Sequence, residues 1–217
     1  MRLYLSSFRV GNRPEELLRL LDGDNRTGLV LNADDYKSPQ DRSLSLQREF
    51  DELRALGLQP SEIDLRDYFG RPGALQQHLT HFSLVYVRGG NPFILRRAFS
   101  QSGADDIIEG LLAKDAIVYG GYSAGAIMLG PSLRGIETIG TSEDDPAVVP
   151  DGYLSEPLWQ CLHVIPYAIV PHYRSTWGNV GAAMEKLVDY YVQTLQCPPR
   201  MGCAPTNPAL ALLPERE

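Results

Sequence analysis

The chain has 217 residues, 43% of them hydrophobic and 22% charged, with a formal net charge of −7. That balance fits one globular domain over 1–217, and the acidic charge argues against nucleic acid as a main partner, since phosphate binding needs a basic surface. No apolar stretch approaches the roughly 18 residues that cross a bilayer, the N-terminus is too mixed for a signal peptide, and three scattered cysteines (Cys161, Cys197, Cys203) suit neither a disulfide framework nor a zinc site. The expectation is a cytoplasmic protein with no membrane partner, no metal and no cofactor.

Residues 2–8 alternate apolar and polar and predict a first strand. Asn12, Pro14, Glu15 and Glu16 open a helix that carries Leu17, Leu18, Leu20 and Leu21 and ends at Gly23. A second strand runs over 27–33. A longer helix follows over 43–56, with Leu44, Phe50, Leu53 and Leu56 on one face and Gly57 beyond its end. The spacing then predicts a strand over 61–68, a short helix over 73–81 and a strand over 83–87 that ends at Arg88-Gly89-Gly90-Asn91. Helices over 92–99 and 104–114 lead to a buried strand at 117–119. Past residue 130 the periodicity weakens. Residues 140–146 form a polar loop, 162–165 and 168–170 are apolar and β-rich, and a last helix from Asn179 or Gly181 presents Met184, Leu187, Val188, Tyr191 and Leu195. Strands alternating with helices at this spacing predict βαβ units and a parallel sheet covered on both faces. Ligand sites in such sheets lie beyond the carboxyl ends of the strands.

Two turns fall at that edge. The first is Gly121-Tyr122-Ser123-Ala124-Gly125, a Gly-x-Ser-x-Gly pattern between a strand and a helix of small residues. A serine in so sharp a turn takes strained backbone angles and needs small neighbours, and its hydroxyl is lifted above a helix start. The second is Gly89-Gly90-Asn91, whose glycines let backbone N–H groups approach a substrate. Gly90 and Ala124 are the candidate oxyanion donors, and Gly89 and Asn91 are expected to touch substrate.

A serine hydroxyl needs a base. Of four histidines, His78 and His81 lie at the wrong end of the sheet and His163 is inside an apolar run. His172 follows a strand at the same edge as Ser123 and is the candidate base. Glu143, Asp144, Asp145 and Asp151 are candidates for the acid that holds the imidazole, and spacing does not choose among them.

Three segments, Val87-Arg88-Gly89-Gly90-Asn91-Pro92-Phe93, Tyr119-Gly120-Gly121-Tyr122-Ser123-Ala124-Gly125 and Val170-Pro171-His172-Tyr173, resemble in order the signature blocks of peptidase family S51. This is the dipeptidase E group, related to cyanophycinase and to class I glutamine-amidotransferase-like folds. The resemblance covers about residues 1–195. It implies a flavodoxin-like three-layer α/β/α sandwich with a mostly parallel sheet. It also implies Ser123 as nucleophile, His172 as its histidine, and a small peptide substrate with an N-terminal aspartate. The family's active-site aspartate loop is most nearly matched by Thr141-Ser142-Glu143-Asp144-Asp145-Pro146, which makes Asp144 the choice. Its competing glutamate is matched by Leu213-Pro214-Glu215. Arg174 is the arginine nearest to the family's substrate-carboxylate arginine. The stretch over 197–203 matches no block, and the tail over 197–217 is atypical for the family. A thiol-dependent amidotransferase is disfavoured by serine at 123, a non-catalytic binding module is the alternative to a hydrolase, and a homodimer is left open.

Overall fold

The computed structural model describes residues 1–139, 144–176, 180–195, 199–200 and 209–214. Its first half alternates strictly: β1 (Arg2–Ser6), α1 (Pro14–Leu21), β2 (Arg26–Val30), α2 (Pro39–Ala55), β3 (Gln59–Glu62), α3 (Pro72–Leu79) and β4 (Leu84–Val87). Then come α4 (Pro92–Ser102), α5 (Ala104–Ala113), β5 (Val118–Tyr122) and α6 (Ala124–Ile127). Strands β1 to β5 form one parallel sheet in the order β1-β5-β4-β2-β3. Counted from β2, with β1 taking the far edge, this is the flavodoxin-like 2-1-3-4-5 order.

Side-chain alternation along the strands divides the interior into two layers. Leu84 and Tyr86 of β4, with Val118 and Tyr122 of β5, pack with Leu17 and Leu21 of α1 and Leu53 of α2. Val85, Val87 and Tyr119 point the other way, into a core with Phe93, Phe99, Ile108 and Leu112 of α4 and α5. Each such buried side chain contributes about 1.5–3 kcal/mol. The result is a three-layer α/β/α sandwich whose strand order reverses between β2 and β4.

A second parallel sheet of three strands, β6 (Tyr167–Tyr173), β7 (Pro199–Arg200) and β8 (Ala209–Pro214), has the order β6-β8-β7. Both α6 and α7 (Val180–Leu195) pack on β6. The end of β6 is tied to the end of β1, where the His172 N–H donates to Ser7 Oγ at 3.1 Å. No helix among the described residues is long and apolar enough to cross a membrane.

Four expected elements differ, and in one of them the strand expected over 27–33 stops at Val30, with 32–34 in a 3-10 turn. The second helix starts at Pro39 rather than 43, because Ser38 caps it by accepting from the Asp41 N–H at 3.1 Å and proline suits the first turn. The strand expected over 61–68 stops at Glu62, and 65–68 form a 3-10 turn. Side chains replace ladder partners there: Asp64 accepts from the Arg66 N–H at 3.0 Å, and Asn32 accepts from the Leu65 N–H at 3.1 Å. The apolar run 162–165 is not a strand. Its Leu162 and Ile165 N–H groups bond the Met128 and Leu129 carbonyls just past α6, and His163 is exposed with φ of +54°.

Candidate active site

Ser123 leaves β5 with φ 50° and ψ −117°, a combination that costs a non-glycine residue on the order of 1–3 kcal/mol. Its surroundings hold it there. The Ser123 N–H donates to the Ser6 carbonyl at the end of β1 at 3.2 Å, and the Ser123 carbonyl accepts from Ala126 and Ile127 at 3.0 Å each. The buried Tyr119 hydroxyl donates to the Gly125 carbonyl at 2.7 Å. Only glycine fits at 125, because a Cβ there would lie 2.1 Å from the Val87 carbonyl oxygen on β4. This close approach puts the Ser123 turn against the turn after β4, and a Cβ on Gly89 would lie 2.8 Å from the Ser123 Cβ. Gly90 has φ of +138°, with Ala33 and Asp34 tight against it.

His172, at the end of β6, places Nε2 3.0 Å from Ser123 Oγ. For the hydroxyl to donate, Nε2 must be the unprotonated nitrogen, which leaves the ring proton on Nδ1. Serine, histidine and the glycine turn thus meet at one edge of the sheet, brought there by three strands.

Of the candidate acids, Glu143 and Glu215 lie outside the described residues. Asp144 is half-buried and opens the segment that runs past α4. Its neighbour Asp145 is exposed, caps a turn by accepting from the Ala147 N–H at 2.8 Å, and gives its carbonyl to Asn91 Nδ2 at 3.1 Å. The rest of the segment is held by the buried Arg97, which donates to the carbonyls of Pro146, Val148, Ser155 and Glu156. Asn91, expected to touch substrate, is fully buried and caps α4 by accepting from Phe93 and Ile94, so its side chain ties the Asp145 segment to the glycine turn. Arg174 is exposed and stacks over Tyr173, its guanidinium carbon 5.1 Å from the ring centroid. Cys161, the other candidate nucleophile type among the described residues, is half-buried, and burial pushes its thiol up to about 12.

Beside Ser123 and His172 opens a cavity of about 160 Å³, also lined by Phe8, Asp34, Tyr36, Lys37, Arg88, Gly89, Gly90 and Tyr122. Its charged members were not singled out from the sequence. Arg88 donates from Nε to Glu49 Oε1 at 3.0 Å and from Nη1 to the Gly89 carbonyl at 2.9 Å, and Nη1 lies 2.5 Å from Asp34 Oδ1. Lys37 reaches Asp34 Oδ2 at 3.0 Å. The Tyr122 hydroxyl donates to Glu49 Oε1 at 2.6 Å. Burial works against the Arg88 charge, but Tyr122, Asp34 and Glu49 outweigh it and raise the guanidinium above its ordinary value. Burial, then Glu49, pushes the Tyr122 phenol well above its ordinary value. Arg88 carries one local signal, its place beside the glycine pair, whereas nothing in the sequence marks Lys37. No group of three or more His, Cys, Asp or Glu among the described residues is placed to hold a metal ion.

Known proteins resemble this chain in sequence and in fold. An "Uncharacterized peptidase Lmo0363" of Listeria monocytogenes is 30% identical over 124 residues, 57% of this chain and 55% of its own length. A "Probable alpha-aspartyl dipeptidase" of Drosophila melanogaster is 28% identical over 116 residues, 54% of this chain and 43% of its own. The chain thus spans about half the length of the curated relatives it matches. The solved "Putative Peptidase E Protein from Listeria monocytogenes EGD-e" superposes with a TM-score of 0.66 at 21% identity, over 87% of this chain and 86% of that one. A peptidase from an acI-B1 Actinobacterium gives 0.58 at 14% identity, over 86% and 74%. The model of peptidase family S51 matches residues 39–204, from the start of α2 through the glycine turn, the serine elbow and the His172 strand, and the chain belongs to that family.

Proposed function

We propose that this protein is a serine peptidase acting on short peptides with an N-terminal aspartate. The observation that carries this reading is the 3.0 Å contact between Ser123 Oγ, on a strained elbow, and His172 Nε2, delivered by a separate strand. In the first step Oγ attacks the peptide carbonyl carbon, and its proton passes to Nε2. The oxyanion that forms is received by the N–H groups of Ala124 and Gly90. Collapse breaks the C–N bond, and Nε2 returns the proton to the leaving amine. Water then hydrolyses the acyl-serine by the same route. An acid, with Asp144 the candidate, holds the Nδ1 proton and favours the imidazolium. Aspartyl specificity is supported by the resemblance to dipeptidase E and by the name of the Drosophila relative, which matches over about half of this chain.

The test is direct. The wild-type chain should be labelled at Ser123 by a fluorophosphonate and should cleave Asp-X dipeptides in a panel that includes Asn-X and X-Asp. Ser123→Ala should fold and lose at least roughly a thousandfold in turnover. Full activity in that variant, or an unlabelled Ser123 with no cleavage of any dipeptide, would overturn the assignment.

A further inference from the structure

We propose that Lys37 and Arg88 form a carboxylate-reading subsite, and that Asp34 is the positioning residue that aims both cations at it. The inference deepens the function just proposed and rests on it only for where the attacked carbonyl lies. The ionic group beside Ser123 has two cations and two anions, but they are not equally placed. The side chains of Asp34 and Glu49 are 0% and 4% exposed, while those of Lys37 and Arg88 are 23% and 13% exposed and line the cavity. Glu49 is not part of the cavity wall, and Asp34 meets that wall with no exposed side-chain surface. A ligand entering this space therefore meets N–H donors.

Donor capacity is left over. Lys37 uses one of three N–H bonds on Asp34, and the contacts of Arg88 use Nε and Nη1 and leave Nη2. Because Asp34 holds both cations in place, little side-chain entropy remains to be lost when a carboxylate docks between them. The cavity is small and shares its wall with Ser123 and His172, so the group it reads belongs to a short side chain on the residue whose carbonyl is attacked. An aspartyl side chain fits. An asparaginyl side chain has nearly the same shape but lacks the charge and turns an N–H₂ toward two cations, which the site disfavours.

The experiment measures equilibrium binding of Asp-Leu and Asn-Leu by calorimetry to the full chain carrying Ser123→Ala, so that nothing turns over. Asp-Leu should bind at least about tenfold more tightly than Asn-Leu. Adding Lys37→Met should reduce that ratio to within about threefold, and Lys37→Arg should restore most of it. Arg88→Lys, which keeps a cation between Asp34 and Glu49, should give an intermediate ratio. A ratio that Lys37→Met leaves unchanged, or equal binding of the two dipeptides from the start, overturns the proposal. Fluorophosphonate labelling of the wild-type chain separates the two readings. Labelling without Asp-over-Asn preference sinks the subsite alone, whereas the preference without labelling sinks the peptidase chemistry and keeps the subsite.

Discussion

Asp34 and Asp35 are neighbours in the chain and serve two different ionic clusters. Asp34 faces Lys37 and Arg88 at the serine cavity. Asp35 turns into a closed network: Arg42 Nε lies 2.6 Å from it, Arg42 Nη1 lies 2.7 Å from Glu62, and Arg66 bridges Asp35 and Asp64. The Tyr153 hydroxyl and Asn32 Nδ2 also donate to Asp35. Both clusters are built from the same residue types at the carboxyl edge of β2. In the closed one Arg42 is surrounded by Asp35, Glu62 and Asp64, Arg66 bridges two of these from the surface, and the network pins the 3-10 turn after β3. In the open one the carboxylates are buried deepest and the cations keep donors toward a cavity. The lesson is that placement, rather than composition, separates an ionic site that binds something from one that holds a turn in place.

Breaking the closed cluster should have the largest effect on stability. Arg42→Met leaves Glu62 without that cation and Asp35 with only the more distant Arg66, and should cost about 3 kcal/mol in urea unfolding. A loss below about 1 kcal/mol would show that Arg42 does not hold the cluster together. A smaller effect separates the clusters by pH. Burial would raise the Asp64 pKa, but hydrogen bonds from Arg66 and Asn32 outweigh it and lower the value in the folded state. Asp64 therefore contributes stability that is present above the ordinary carboxylate range and is lost as pH falls through its folded pKa. Asp64→Asn should melt about 2–4 °C lower than wild type at pH 7, with the difference fading toward pH 2. A difference that does not change with pH would refute the linkage. The smallest stability effect belongs to the open cluster, where Lys37→Met should change unfolding free energy by less than about 1 kcal/mol. A larger loss would mean that Lys37 has the structural role of Arg42, and the contrast between the clusters would fail.

Much of the fold was legible because its rules are local. Val85 and Val87 alternate with Leu84 and Tyr86, and helices that start with proline punctuate the strands. The serine elbow was legible for a steric reason: Gly121 records how closely β5 meets the start of α6, and Gly125 how closely α6 passes β4. His172 could be singled out because only one of four histidines ends a strand at the correct edge. The 3-10 turn at 65–68 was not legible, because the groups that close it are the side chains of Asp64 and the distant Asn32. The cavity was not legible either, since Lys37 follows β2, Arg88 follows β4, and only the sheet order makes them neighbours. The start of α2 is legible too, because Ser38-Pro39 is a cap signal that directly precedes the helix.

The contact between Gly125 and the Val87 carbonyl has one more consequence. The nucleophile and the turn that carries Gly90 belong to different strands, yet both take their position from the same point on β4. Any drift of β4 moves them together, so the gap between the attacking oxygen and the proposed anion-binding N–H groups is insulated from motions of the sheet. His172 takes its position from a different point. It is carried by a separate sheet, but its N–H bonds Ser7 Oγ next to the Ser6 carbonyl that holds the Ser123 N–H, so the end of β1 is where the distance from base to nucleophile is fixed.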